Sequence, residues 1–293
     1  MLKSGFVSIV GRPNVGKSTL MNTIIGEKIA IVSDKPQTTR NRIHGIYTTD
    51  KGQIIFIDTP GIHKPKHLLG EYMVKISTRS LNEVDMVYYM TDITKPFGKG
   101  EQYIINQLKE VRAPVFLLVN KIDLAGEEEL QKYISPFLKE MNFTEIIPLS
   151  AALGTNVTDL LEKTLDYLPE GPHYYPAEEI TDQPEKLFMA ELIREKALNL
   201  TREEIPHSLA VEIEEIKERD HNKIYVRAVI YTERESQKGI IIGKNGSMLK
   251  KIGEQARVDM ENLLDTDIYL DLWVKVKKNW RDSEGKLMQL GYK

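Results

Sequence analysis

The chain has 293 residues, 41% hydrophobic and 28% charged, with a formal net charge of −3. That is material for about two globular domains with ordinary cores, and it is too near neutral for a uniformly basic nucleic-acid binder. Cys is absent, which excludes disulfides and thiolate metal sites.

Only Met1, Leu2 and Lys3 precede the first strand-like run, so a signal peptide has no room. No apolar run reaches the roughly 18 residues that a membrane span needs. The expectation is a cytoplasmic protein.

Residues 6–10 alternate little and are mainly apolar, as in a strand buried on both faces. The stretch GRPNVGKST follows, and a helix-permissive run at 18–25 ends near Gly26. The stretch fits G-x-x-x-x-G-K-[ST] through Gly11, Gly16, Lys17 and Ser18, and strand–loop–helix is the context that pattern requires. Backbone N–H groups of such a loop cradle phosphate oxygens, helped by the following helix N-terminus. Gly11, Arg12, Pro13, Asn14, Val15, Gly16, Lys17, Ser18 and Thr19 are therefore candidate phosphate-binding residues. Lys17 would reach the β and γ phosphates, and the Ser18 hydroxyl would bind Mg²⁺.

Residues 27–41 are polar and turn-prone. Strands are expected at 43–49 and 53–57, joined by Asp50-Lys51-Gly52, and so short a connection implies an antiparallel pair at one edge. Asp58-Thr59-Pro60-Gly61 ends the second of these. Residues 62–70 have loop composition, and Pro65 between His63 and His67 spoils their spacing as a metal pair. Helices at 71–83, 100–112, 127–141 and 157–168 then alternate with strands at 85–92, 114–119 and 145–149. Residues 1–170 thus read as a doubly wound, mainly parallel α/β sheet with right-handed crossovers. Ligands in such sheets sit at the carboxyl ends of the strands.

Pro169, Pro172, Pro176 and Pro184 punctuate the next stretch, and 171–184 reads as an extended, semi-stiff linker. A smaller α+β domain follows over 185–293. It comprises a helix at 185–200, strands at 208–216 and 223–233, a loop at 239–246, a helix at 247–263 and a strand at 268–276. A short helix is expected in the tail.

Asp58 ends an apolar strand, where a carboxylate suits a Mg²⁺-holding role through the metal's water shell. Thr59, Pro60, Gly61 and Ile62 follow, and the Gly61 N–H would face the γ phosphate. Asn120-Lys121-Ile122-Asp123 ends another strand. A carboxylate at Asp123 accepts from both N1–H and N2–H₂ of guanine, a donor pair that adenine lacks. Asn120 would tie this loop to the phosphate loop and the base, and the Lys121 stem would lie over the purine. Ser150-Ala151-Ala152, after the next strand, would offer backbone N–H to guanine O6. Four such motifs in order, each at a strand end, point to GTP.

With GRPNVGKS, DTPG, NKID and SA in place, the first half resembles a translation-factor-related small GTPase. Pro36-Gln37-Thr38-Thr39-Arg40 resembles the first switch segment of the Era family. The resemblance implies GTP and GDP as ligands, with Mg²⁺ held by Ser18, Asp58 and Thr39. Thr39 is favoured there over Thr38. It also implies Lys17, Thr39 and Gly61 as the catalytic set. Ile62 stands where Ras-like proteins carry a water-orienting Gln, and an apolar side chain cannot do that work. Asn14 either holds a K⁺ ion, as in related proteins, or merely shapes the loop. Intrinsic hydrolysis is expected to be slow.

Residues 241–249 resemble the KH signature, with Gly243-Lys244-Asn245-Gly246 as its GXXG loop. The element order resembles a type II KH fold, with a core at about 205–281. Such a loop clamps about four nucleotides of RNA backbone. The candidate RNA-binding residues are Ile242, Gly243, Lys244, Asn245, Gly246, Lys250, Lys251, Lys275 and Lys277, with Ile242, Leu249 and Ile252 in the floor. Alternation at 269–276 places Leu270, Leu272, Val274 and Val276 on a core face. Trp273 points away, either to stack a base or, by preference, to pack on a helix.

Across nearly the whole chain the resemblance is to the Era family of bacterial-type GTPases. It implies binding to 16S ribosomal RNA near its 3′ end, assistance to 30S subunit assembly, a monomeric state and peripheral association with the inner face of the cell membrane. Two alternatives stay open: a metabolic GTPase whose second domain binds protein, and an RNA clamp that keeps GTP as a structural ligand.

Overall fold

A computed structural model describes residues 1–292, apart from 36, 63, 64, 66, 203, 204 and 220–222 and the side chains of Asn82 and Arg219. Pro36 and His63, both singled out in the sequence, lie outside the described residues. The chain divides into two compact units. The first holds residues 1–30, 39–65 and 70–182; the second holds 31–38, 66–69 and 183–293.

The first unit follows β1 Lys3–Gly11, α1 Lys17–Ile25, β2 Ile43–Thr49, β3 Gly52–Asp58, α2 Leu68–Asn82 and β4 Met86–Asp92. It continues through α3 Lys99–Leu108, β5 Val115–Asn120, α4 Glu127–Glu140, β6 Glu145–Leu149 and α5 Val157–Tyr167. The sheet order is β2-β3-β1-β4-β5-β6, and only the edge pair β2/β3 is antiparallel. β3 and β4 are buried along their whole length, which is why they read as continuous apolar runs. Successive side chains serve opposite faces. Tyr88 joins a core with Leu20, Phe56, Phe116 and Leu160, while Tyr89 joins one with Val10, Ile105, Leu117 and Phe137. Burying each such side chain stabilises the fold by about 2 kcal/mol.

Strand register sets the site. Ile9 pairs with Asp58, Gly11 with Met90, Asp92 with Asn120 and Asn120 with Leu149. The motif residues therefore emerge along one edge of the sheet.

Residues 174–181 lie along β2 and β3. The Ile46 N–H donates to the Ile180 carbonyl at 2.8 Å, and the Thr181 hydroxyl donates to the His44 carbonyl at 2.7 Å. The Gln53 amide accepts from the Tyr174 and Tyr175 N–H groups. The Pro-rich stretch is thus held as a strap along the sheet edge.

The second unit follows α6 Glu185–Leu200, α7 Ile205–Ser208, β7 Ala210–Arg219, β8 Lys223–Thr232 and α8 Glu235–Ile242. α9 Ser247–Leu264, β9 Asp267–Val276 and α10 Glu284–Gln289 complete it. The sheet order is β7-β8-β9, with β7/β8 antiparallel and β8/β9 parallel. Ile193, Val226, Ile230, Ile252 and Met260 form its core, and Ile31 belongs to the same cluster. The Val32 N–H donates to Glu195 at 2.9 Å, and the buried Arg194 guanidinium donates to the Thr38 carbonyl.

Two expectations are corrected here. The loop expected at 239–246 is a helix up to Ile242, because Ile241 is drawn fully into the core, and only 243–246 remains as the connection. Trp273 does not pack on a helix; it is 54% exposed on the sheet face opposite α9. Among the described residues, no helix is long and apolar enough to cross a membrane.

Candidate functional site

The phosphate loop closes between β1 and α1 because three glycines leave no room for side chains. A Cβ on Gly11 would lie 2.3 Å from the Met90 carbonyl oxygen, and one on Gly61 would lie 2.7 Å from the Pro13 nitrogen. Gly16 adopts φ 106°, and a Cβ there would meet the Asn120 amide nitrogen at 2.3 Å. Positive φ favours Gly, so Gly16 is fixed on both counts. Asn14 also has positive φ, at 64°, where Asn is tolerated better than most residues.

The three expected metal-binding side chains converge. Ser18 Oγ donates to Asp58 Oδ2 at 2.6 Å, Thr39 Oγ1 donates to the same oxygen at 3.2 Å, and the two hydroxyls lie 3.0 Å apart. Thr38 turns elsewhere and donates to the Lys35 carbonyl at 2.6 Å. The choice of Thr39 over Thr38 thus has a geometric basis.

Asp58 is fully buried, and its second carboxylate oxygen, Oδ1, has no hydrogen-bond partner among the described residues. Burial pushes its carboxyl above the usual range, opposed by Lys17 and the two hydroxyls. Burial likewise pushes the Lys17 ammonium down, opposed by Asp58. Lys17 Nζ reaches carbonyls of its own loop, Arg12 at 3.1 Å and Gly11 at 3.5 Å. A buried carboxylate with an uncommitted oxygen beside a buried ammonium suits a hydrated cation and a phosphate chain. The donor set fits Mg²⁺, which prefers oxygen ligands and keeps waters.

Ile62 is 2% exposed and packs with Val10, Leu81 and Val87. Its N–H donates to the Gly11 carbonyl at 3.1 Å, and the Thr59 hydroxyl donates to the Ile9 carbonyl. The residue after Asp58-Thr59-Pro60-Gly61 is therefore a packing residue, remote in chemistry from water positioning.

Asn120 ties its own loop to the phosphate loop, one part of its expected role. Its Nδ2 donates to the Val15 carbonyl at 2.7 Å, and its Oδ1 accepts from the Ala151 N–H at 2.9 Å. Lys121, at φ 66°, pairs with Asp92 at 2.6 Å and reaches the Asn14 carbonyl at 3.4 Å. Burial alone would raise the Asp92 carboxyl, but Lys121 and Thr94 outweigh it and hold it low. Asp123 sits exposed in the short turn Ile122–Leu124.

In Ser150-Ala151-Ala152 the Ser150 N–H donates to the Thr155 carbonyl and the Ala151 N–H to Asn120, and Ala152 is exposed. Sequence reasoning missed Asp92 and Thr23, whose hydroxyl donates to the Ala151 carbonyl at 2.7 Å. Asp92 carried a usable signal, because it ends a strand as Asp58 and Asn120 do.

In the second unit, Gly243 and Gly246 adopt φ 72° and 78°, and Asn245 between them φ 53°. A Cβ on Gly243 would lie 2.7 Å from the Met248 Cβ, whereas one on Gly246 would meet nothing within 4 Å. Gly246 is thus required for its backbone angle alone. Beside this loop runs a groove of about 430 Å³, lined by Gly246, Leu249, Lys250, Gly253, Glu254, Arg257, Leu270 and Leu272. Gly253 lets α9 approach β9, since a Cβ there would lie 3.2 Å from Leu272.

The floor differs from expectation. Ile252 is fully buried in the core, while Leu270 and Leu272, placed on the core face from alternation, pack against that core and, half-buried, also line the groove. Ile242 is half-buried against the core. Lys250 lines the groove, and Lys251 beside it is exposed. Strand alternation puts Lys275 on the opposite sheet face, paired with Glu214 at 2.7 Å. Lys277 lies 4.8 Å over the Tyr231 ring. His67 pairs with Asp282 at 3.4 Å. Among the described residues, no cluster of three or more His, Asp or Glu is arranged to hold a metal ion.

The fold and these sites define a P-loop GTPase domain joined to a KH domain of αββααβ order. A family described as 50S ribosome-binding GTPase matches residues 6–121, and the KH domain family matches residues 204–281. A solved structure of Era in complex with MgGDPNP and nucleotides 1506–1542 of 16S ribosomal RNA is 43% identical. It covers 100% of this chain and 99% of that one, with a TM-score of 0.97. A variant of Aquifex aeolicus Era bound to GDP and AlF₄⁻ is also 43% identical over 99% of each chain, with a TM-score of 0.96. The chain belongs to the Era family of GTPases.

Proposed function

We propose that this chain is a GTP-hydrolysing switch that binds the 3′ region of 16S ribosomal RNA through its KH groove and assists assembly of the 30S subunit. The observation that carries the reading is the convergence of Ser18, Thr39 and Asp58 beside Lys17, on a chain whose full length matches an RNA-bound Era at 43% identity.

The first-half residues divide the work. Gly11 to Thr19 wrap the phosphates with backbone N–H groups, and Lys17 neutralises β- and γ-phosphate charge. Mg²⁺, held by Ser18, Thr39 and the water shell at Asp58, would supply further charge neutralisation on the phosphates. The Gly61 N–H faces the γ phosphate, and Asp123 selects guanine. With Ile62 buried, no side chain at that position orients the attacking water, so intrinsic turnover is slow. Asn14, turned into a left-handed conformation at the loop, would help hold K⁺ there. Phosphate release should then run faster in KCl than in NaCl at equal ionic strength, and equal rates remove K⁺ from the mechanism.

The second-half residues bind RNA. Lys244 and Asn245 lie between the two glycines at the start of α9, where phosphate is favoured, while the Gly243 and Gly246 N–H groups donate to the Gly239 and Gly243 carbonyls. Leu249, Leu270 and Leu272 supply the apolar floor. The nucleotide state reaches this domain along the chain itself. Thr38 is held in the second unit by Arg194, and the next residue, Thr39, bonds to Asp58 in the first.

Lys244→Glu tests the RNA reading. It should weaken binding of an RNA covering nucleotides 1506–1542 by at least tenfold, since one phosphate contact is lost and a repulsive charge gained. Nucleotide affinity should stay within twofold. Undiminished RNA binding by the variant would remove the GXXG loop from the interface.

A further inference from the structure

β9 is the edge strand of the KH sheet, and its two faces differ in chemistry. Leu270 and Leu272 point into the groove. Tyr269 and Trp273 stand on the other face, 61% and 54% exposed. Parallel register sets Tyr269 beside Tyr225, and their rings stack at 5.8 Å and 16°. The Arg227 guanidinium lies 5.6 Å from the Tyr225 ring centroid and bonds to Asp271. The exposed apolar area of this face is therefore made of rings; its central aliphatic residue, Val229, is fully buried.

We propose that this outer face, centred on Tyr269 and Trp273, is a second site for single-stranded RNA, stacking bases of the strand that leaves the KH groove. The proposal rests on the RNA-binding reading above. Two features favour RNA over a protein partner. Aromatic rings held by a sheet are how sheet domains stack unpaired bases; the cations on this face, Arg227 and Lys275, are each paired with a carboxylate, Asp271 and Glu214. The groove and the outer face also share one edge strand, so RNA passes from one to the other around the edge of β9. Tyr269 and Trp273 are four residues apart, about 13 Å along the strand, which is too far to sandwich one base and suits two separate ones.

The test uses the full chain loaded with Mg²⁺ and a non-hydrolysable GTP analogue. Two RNAs are compared, one covering nucleotides 1506–1542 and one of about six nucleotides, enough to fill the groove. Tyr269→Ala combined with Trp273→Ala should weaken the long RNA by at least tenfold, as expected when two stacked bases are lost. The short RNA should bind within twofold of the unaltered chain, and Trp273→Phe should retain most of the affinity for the long one. Trp273 emission should be quenched by the long RNA only, against a constant background from Trp280, the other Trp, which is fully buried. Equal binding of the long RNA by the double variant overturns the proposal, as does an equal loss for both RNAs. Unchanged RNA affinity with weakened binding to 30S subunits would assign the face to a ribosomal protein and likewise overturn it. Failure of the groove reading is separate, because Lys244→Glu would then spare the short RNA as well.

Discussion

Asp123→Asn should lower the affinity for GTP by about a thousandfold or more and raise that for XTP. The reason is a reversal of hydrogen-bond polarity. Guanine offers N1–H and N2–H₂ to one carboxylate, and an amide at that position turns one acceptor into a donor. Xanthine carries a carbonyl at position 2, which that donor can meet. The surrounding loop should survive the change. Asp123 is exposed, whereas the loop is anchored by Asn120 on the Val15 carbonyl and by Lys121 on Asp92. The effect should therefore appear in base choice and not in folding. Titration with labelled GTP and XTP reads it directly. Wild-type affinity for GTP in the variant would show that Asp123 does not touch the base.

Lys17→Met should separate stability from function. Burial disfavours the Lys17 ammonium, and a buried charge costs several kcal/mol unless well partnered. Met has similar volume and no charge. Nucleotide-free Lys17→Met protein should melt at or above the temperature of the unaltered chain. Its GTP affinity should fall at least a hundredfold, as is usual when one partner of a desolvated charge pair is removed. The thermal shift that GTP confers on the unaltered chain follows from that affinity and should vanish at the same GTP concentration. Turnover should fall with it. A variant that still melts higher with GTP would show that Lys17 does not contact the phosphates. A variant that unfolds without nucleotide would assign Lys17 a structural role.

The parts of the fold that were legible in the sequence are those with strong local signals. β1, β3, β4 and β5 are dominated by apolar residues, and Asp58 and Asn120 end two of them where open sheets bind ligands. The phosphate loop carries its own steric logic in Gly11 and Gly16. Less legible were features settled by tertiary partners. α8 contains Gly239 and lacks a clear apolar stripe, yet burial of Ile241 carries it to Ile242. Alternation sorted β9 into two faces and put Leu270, Leu272 and Val274 on the side that meets the core, but it did not show that the groove leaves Leu270 and Leu272 only half-covered. α9 lies over Leu270 and Leu272 closely enough to make a groove and not closely enough to seal it. Ala151 is expected at the base from its motif, and in this structure its N–H donates to the Asn120 side chain. Such competition between side chain and ligand for one donor has no sequence signature. Asp92 was overlooked for the converse reason: its partner, Lys121, had already been given a role on the purine.

The account's central claim is that the nucleotide at Gly11 to Thr19 governs RNA binding at Gly243 to Gly246. The direct measurement is the affinity of the full chain for RNA covering nucleotides 1506–1542, in the GTP-analogue form and in the GDP form, at one salt concentration. The account predicts about tenfold tighter binding in the GTP-analogue form, within the usual range of allosteric coupling. Equal affinity in the two forms would contradict it.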